Sequence, residues 1–205
     1  MCADTSHNYL ERFGTPFQAS VTGLNTPKVH QMSRNILITG GSGYIGGSLL
    51  AELKSNTSIP AHGTVYALVR SDDQAQKARS VYNATPLMLD LNDQSAITEA
   101  LVEKEISVVF FMINAFTAVA QLKLIDALAT VKQKLSMETH FLHTTGAKLF
   151  SNFTGHPTDK ALSDADDDLY DIQKNAKSRF APMETVRLPA MNAEVLLAAM
   201  TNLLL

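Results

Sequence analysis

The segment Asn35–Leu53, NILITGGSGYIGGSLLAEL, constrains the fold of this chain more than any other. Five of the ten glycines fall between Gly40 and Gly47. Glycine costs backbone entropy and weakens a helix, so such crowding calls for a close approach that side chains would block. Asn35–Thr39 on one side is a short, apolar, β-branched run. On the other side, Tyr44–Lys54 places Leu49, Leu50 and Leu53 on one helical face. Strand, glycine turn and helix, in that order, form the context of a phosphate-binding turn. A Walker-type nucleotide loop is excluded, because no Gly-Lys-Ser/Thr follows.

Two registers fit the glycines. Gly41, Gly43 and Gly46 match a Gly-x-Gly-x-x-Gly dinucleotide fingerprint. Gly40, Gly43 and Gly46, preceded by Thr39, match a second pattern. The chemistry is shared. Gly40 permits the tight turn, Gly43 admits a pyrophosphate to the backbone, and Gly46 lets the helix pack closely on the strand. Free N–H groups at the helix start, with its positive dipole end, then hold the phosphate.

Strand and helix patterns alternate along the rest of the chain. Thr64–Arg70, Thr85–Leu89, Ser107–Ile113 and Thr139–Thr145 read as strands. Asp72–Ser80, Asp93–Glu105 (with Asn92 as N-cap) and Thr117–Leu135 read as helices. The strands lack polar alternation, as in a parallel sheet covered on both faces. Five alternations predict a doubly wound α/β sheet of Rossmann type with strand order 3-2-1-4-5. Residues 1–33 show no period and are expected to be a tail, leaving 34–205 as the domain.

The second glycine register, TGGSGYIG, resembles the Thr-Gly-x-x-Gly-x-x-Gly signature of the extended short-chain dehydrogenases/reductases, the epimerase/dehydratase-like group. That resemblance implies a cofactor site at Thr39, Gly40, Gly43, Tyr44, Ile45 and Gly46. LMLDLND resembles the family's segment after the third strand, which places Asp90 on the adenine amine and Leu91 against the ring. FFMINAF resembles the segment after the fourth strand, with Asn114 and Ala115 near the adenine ribose; Phe116 departs from the usual alanine pair. HFLHTTGAKLF resembles the fifth strand, which ends at a catalytic Thr145, with Thr144 as its rival.

The end of the second strand bears on the cofactor. NAD enzymes place an Asp or Glu there for the ribose 2′-hydroxyl. Here Arg70 stands in that place, which suits the 2′-phosphate of NADP; Asp72 and Asp73 follow and could pair with it. The cofactor expected is therefore NADP, with NAD as the alternative.

Tyr170-Asp171-Ile172-Gln173-Lys174 is a Tyr-x-x-x-Lys, which puts Tyr170 and Lys174 on one helical face. It follows Thr145 at a separation close to that of the extended family. Tyrosine serves as a base near neutrality only when cationic neighbours favour its phenolate. The resemblance then implies proton exchange at Tyr170, a hydrogen bond from Thr145 to the same substrate oxygen, and Lys174 on the nicotinamide ribose. The plain alternative is an exposed, charged helix face.

Composition limits the partners. A net charge of −3 offers no basic field for nucleic acid, and no apolar run is long enough to span a membrane. Cys2 is the only cysteine, so disulfides and thiolate metal sites are excluded; His140, His143 and His156 show no metal-ligand spacing. With no apolar signal core near the start, the expected setting is cytoplasmic. After Lys174 only 31 residues remain, with no sixth strand or substrate lobe legible in them. The expectation is a cofactor-binding half, truncated relative to its family. It is either oxidoreductase- or epimerase-like toward an unidentified secondary alcohol or carbonyl, or a non-catalytic NADP(H)-sensing or protein-binding domain. Residues 190–205, AMNAEVLLAAMTNLLL, are nearly all apolar and carry the expectation of self-association.

Overall fold

A computed structural model describes residues 34–114, 117–146, 150–152, 155–159, 161–163 and 165–175, together with Val195, Ala198, Ala199, Asn202 and Leu203. The expected tail at 1–33, Ala115 and Phe116, and residues 176–194 fall outside the described residues.

The strands are β1 (Asn35–Ile38), β2 (Val65–Val69), β3 (Thr85–Met88), β4 (Ile106–Phe111) and β5 (His140–His143). The helices are α1 (Tyr44–Ser55), α2 (Asp72–Tyr82), α3 (Gln94–Glu103), α4 (Val119–Leu135) and α5 (Leu169–Asn175). All pairings are parallel, in the order β3-β2-β1-β4-β5. Leu37 sits opposite Tyr66 on one side and Val109 on the other.

Side chains alternate across the sheet, so each strand feeds two cores. Ile36, Ile38, Ala67 and Val69 pack with Leu50 of α1 and with Ala75 and Ala78 of α2. Leu37, Leu68, Leu87, Val109 and Phe111 pack on the other face with Ile97 and Leu101 of α3 and with Leu124, Ile125, Leu128 and Val131 of α4. Both faces are covered, which is why the strand sequences show no polar period.

Two helix starts differ in detail from the sequence reading. Asp93 caps α3, accepting from the Ala96 N–H at 3.0 Å. Asn92 is drawn away because its backbone and side-chain N–H groups both donate to Asp90 Oδ1 at 2.9 Å. Helix α4 begins at Val119 rather than Thr117, because Thr117 Oγ1 accepts from the Asn114 side chain at 3.2 Å.

The C-terminal segment is partly covered by the chain itself. Val195 and Leu203 are buried in the core beneath α4, with Ala198 and Ala199 packed against it. Lys132 Nζ donates to the Leu203 carbonyl at 3.1 Å. Other residues of that segment lie outside the described ones.

The glycine turn closes on one atom. Gly40 has φ +70°, the left-handed region that glycine tolerates. Its carbonyl accepts from the Gly43 N–H at 2.9 Å. A Cβ on Gly46 would lie 2.3 Å from that oxygen and 2.7 Å from its carbon, so the helix start packs on the turn itself. The Gly40/Gly43/Gly46 frame is therefore the working register, while Gly41 gives room to Leu50. A Cβ on Gly43 would meet only the Gly40 oxygen, at 3.2 Å. We expect Gly46→Ala to lower stability by about 1–3 kcal/mol or more, through backbone overlap that nothing flexible can relieve. Gly43→Ala should cost clearly less. Urea unfolding of the two variants beside the parent chain checks this ordering.

Candidate functional site

The carboxyl ends of β1, β2 and β3 open into a cleft of about 510 Å³. Gly40 and Ser42 of the glycine turn form one wall, Arg70 and Gln74 the next, and Met88 to Asn92 the far side, with Ile113 closing the end. The order 3-2-1-4-5 reverses direction at β1, and ligands of open α/β sheets bind at that crevice.

Gly40, Arg70, Asp90 and Leu91, chosen from sequence, all line this cleft. Arg70 is exposed and makes no ion pair among the described residues. Asp73, a possible competitor for it, is held instead by Lys77 at 2.9 Å. Asp90 spends Oδ1 on Asn92, and its other oxygen has no partner among the described residues. Leu91 is half-buried and packs on the core. Tyr44 is 92% and Ile45 56% exposed at the start of α1. Helices α2 and α3 are capped by Ser71 and Asp93, whereas α1 has Gly43 as N-cap and no side-chain bond there. Its first N–H groups are left for an anion.

Thr39 sits differently from the expectation. It is fully buried, and its Oγ1 accepts from the Met112 N–H at 2.9 Å. Its N–H donates to the Phe110 carbonyl at 3.0 Å. It ties β1 to β4 beneath the turn rather than facing the cleft. Asn114 follows β4, and its carbonyl accepts from Gln121 Nε2 at 2.8 Å. Ala115 lies outside the described residues.

The three expected catalytic residues stand on two elements. Thr145 follows β5 closely; the ladder continues past the strand with the Thr144 N–H on the Phe111 carbonyl at 3.0 Å. Thr145 Oγ1 is buried and has no hydrogen-bond partner among the described residues. Tyr170 and Lys174 lie on α5, with Lys174 Nζ 5.8 Å from the centre of the Tyr170 ring, so the two share a face as the spacing required. No group of three metal-ligating side chains occurs among the described residues. None of their helices is long and apolar enough to cross a membrane.

Two polar side chains that hold the loops around the cleft were not singled out from the sequence. Gln121, on the first turn of α4, is 1% exposed and fixes the segment after β4. The signal was a polar residue in register with the apolar stripe of Leu124, Ile125 and Leu128. Gln74 bridges two walls of the cleft, and its signal was the Ser71-Asp72-Asp73-Gln74 capping pattern.

A sequence profile of the NmrA-like family matches residues 32–135, half of the chain. The chain belongs to that family. This NmrA-like chain is 40% identical over 68 residues to sterol-4-alpha-carboxylate 3-dehydrogenase, decarboxylating, of Dictyostelium discoideum, a match covering 33% of this chain and 19% of that protein. It is 31% identical over 115 residues to an uncharacterized protein of Saccharomyces cerevisiae, covering 54% of this chain and 37% of that protein. The chain thus spans well under half the length of these curated relatives. A solved structure from Burkholderia cenocepacia J2315, provisionally named an epimerase, superposes with a TM-score of 0.54 at 19% identity, covering 83% of this chain and 52% of that one. The NmrA-like chain therefore has a Rossmann-type, NAD(P)-binding domain of the extended short-chain dehydrogenase/reductase kind.

Burial pushes His143, half-buried against Phe111, below its ordinary value of 6.5. Burial does the same to His156. The unfolded chain takes up these protons first, so stability holds above pH 6.5 and falls as pH drops from there toward the lowered folded values. We expect the pH dependence of Tm between about pH 7 and pH 5 to flatten in His143→Gln and further in His143→Gln/His156→Gln. An unchanged slope in thermal melts would count against it.

Proposed function

We propose that this chain binds NADP(H) and serves reduction or oxidation at a secondary alcohol or carbonyl. The observation that carries this reading is the cleft itself. The glycine turn at Gly40 and Ser42, an arginine beyond β2 with no ion pair among the described residues, and Asp90 and Leu91 after β3 line one cleft, and α1 starts beside that turn without a side-chain cap. The residues fit the group they would hold. The α1 N–H groups suit a pyrophosphate, the Arg70 guanidinium suits a 2′-phosphate, and Leu91 offers an apolar face to a base. When bound, the nicotinamide supplies hydride transfer.

The chain's own part is proton chemistry and positioning. Tyr170 exchanges a proton with the substrate oxygen, and Lys174 stands on the same helical face. Thr145 Oγ1, buried and without a hydrogen-bond partner among the described residues, would give its hydrogen bond to the substrate oxygen. The name of the Dictyostelium relative, a 3-dehydrogenase, points to the same kind of reaction.

Calorimetric titration with NADPH and NADH is the first test. We expect NADPH to bind more tightly, and Arg70→Ala to weaken NADPH by about ten- to a hundredfold while leaving NADH nearly unchanged. Equal affinities in the parent chain, or an unaltered preference in Arg70→Ala, would overturn the choice of NADP. A screen of carbonyl substrates with NADPH then tests turnover. Activity that survives in Tyr170→Phe would remove Tyr170 from the chemistry.

A further inference from the structure

Gln74 stands where the glycine turn and the β2–α2 turn meet. Its Oε1 accepts from the Arg70 N–H at 2.8 Å. A backbone N–H can only donate, so the oxygen of the amide must face Arg70 and the nitrogen must face away. That nitrogen, Nε2, reaches Ser42 Oγ at 3.5 Å, a long bond across 32 residues of sequence. The Gln74 backbone N–H is in turn held by Ser71 Oγ at 3.3 Å. One side chain thus joins the loop expected to hold a pyrophosphate to the residue expected to hold a 2′-phosphate.

The amide also separates two spaces. It lines the 510 Å³ cleft on one side and, on the other, a 260 Å³ cavity between α1, α2 and β2. Its neighbours bear on its charge. Both acids of the first α2 turn, Asp72 and Asp73, lie between the Ser71 cap and Gln74, and Asp73 is paired with Lys77. A capping pattern accepts glutamate as readily as glutamine at this place. Glutamate would keep the bond from the Arg70 N–H, meet Ser42 as an acceptor of its hydroxyl proton rather than as a donor, and bring a carboxylate into the wall that Arg70 lines. Glutamine makes the same cap without charge.

We propose that Gln74 is a positioning and specificity residue for the cofactor: it ties the Arg70 backbone to Ser42 and adds no further carboxylate to a wall that already holds Asp90, so that a 2′-phosphate is accepted there. This rests on the reading of the cleft as a nicotinamide site. Gln74 touches the reacting atoms in no part of this scheme; it acts through Arg70 and Ser42.

The test is titration of NADPH and NADH, by calorimetry, into the parent chain, Gln74→Glu, Gln74→Ala and Arg70→Ala/Gln74→Glu, with thermal melts of each. Gln74→Glu is nearly isosteric and keeps the backbone bond, so it should fold as the parent does. It should weaken NADPH about tenfold or more, and change NADH by less than about threefold. Gln74→Ala should weaken NADPH by about two- to tenfold. In the Arg70→Ala background the penalty of Gln74→Glu should shrink, because the cation it disturbs is gone. A merely structural side chain would lower Tm and both affinities together. If the parent binds NADPH and the Gln74 variants keep its NADPH-to-NADH ratio, the role of Gln74 is overturned and the cofactor reading stands. If the parent binds neither nucleotide, the cofactor reading falls and this inference with it.

Discussion

The carbonyl oxygen of Gly40 is the atom around which the site is built. It accepts the Gly43 N–H, and it occupies the space that a Cβ on Gly46 would need. The backbone there runs at positive φ, and a Cβ on Gly40 would lie 3.0 Å from the Met112 carbonyl oxygen, so both conformation and space favour glycine. The result is a helix that starts against the end of β1 with its first N–H groups uncovered. Everything expected of the site as a binder of phosphate follows from that approach.

The sheet then decides what lies beside those N–H groups. With β2 and β4 flanking β1, the chain leaves the sheet on opposite faces to either side of the turn, and a crevice opens where the crossovers part. Arg70 ends up at the cleft because β2 is next to β1, and Asp90 and Leu91 because β3 is next to β2. The hydrogen bond from Met112 to the buried Thr39 holds the far side in register. Residues distant in sequence are thus brought to one wall by strand order alone, before any side chain chooses a partner.

What was legible in the sequence follows the same division. Strand and helix periods are local, so all five strands and the four long helices stand within a few residues of their expected places. Glycine spacing reports backbone geometry directly, which is why the turn was readable and Gly40 met its assigned role. The misses are matters of competition. Asn92 is as good a cap as Asp93 in isolation, and only the neighbouring Asp90 draws it away. Thr39 belongs to the glycine pattern, yet its hydroxyl is claimed by a backbone N–H from β4. Gln74 looked like an ordinary surface residue of a polar helix, since its partners come from a different turn. The apolar segment near the end of the chain was readable as apolar; what it would cover was not, because that depends on the face α4 leaves open.

Val195 and Leu203 share a core with Leu37, from the first strand of the sheet. The order of synthesis therefore matters. On a growing chain, β1 to β5 and the helices between them emerge first, with part of the α4 face open to water. The residues that cover it follow well after α4. Until then, the half-finished core is a surface that chaperones can recognise and that neighbouring nascent chains can stick to. A protein arranged in this way closes this part of its interior only after the whole sheet has been made, and its yield is tied to how well that interval is guarded.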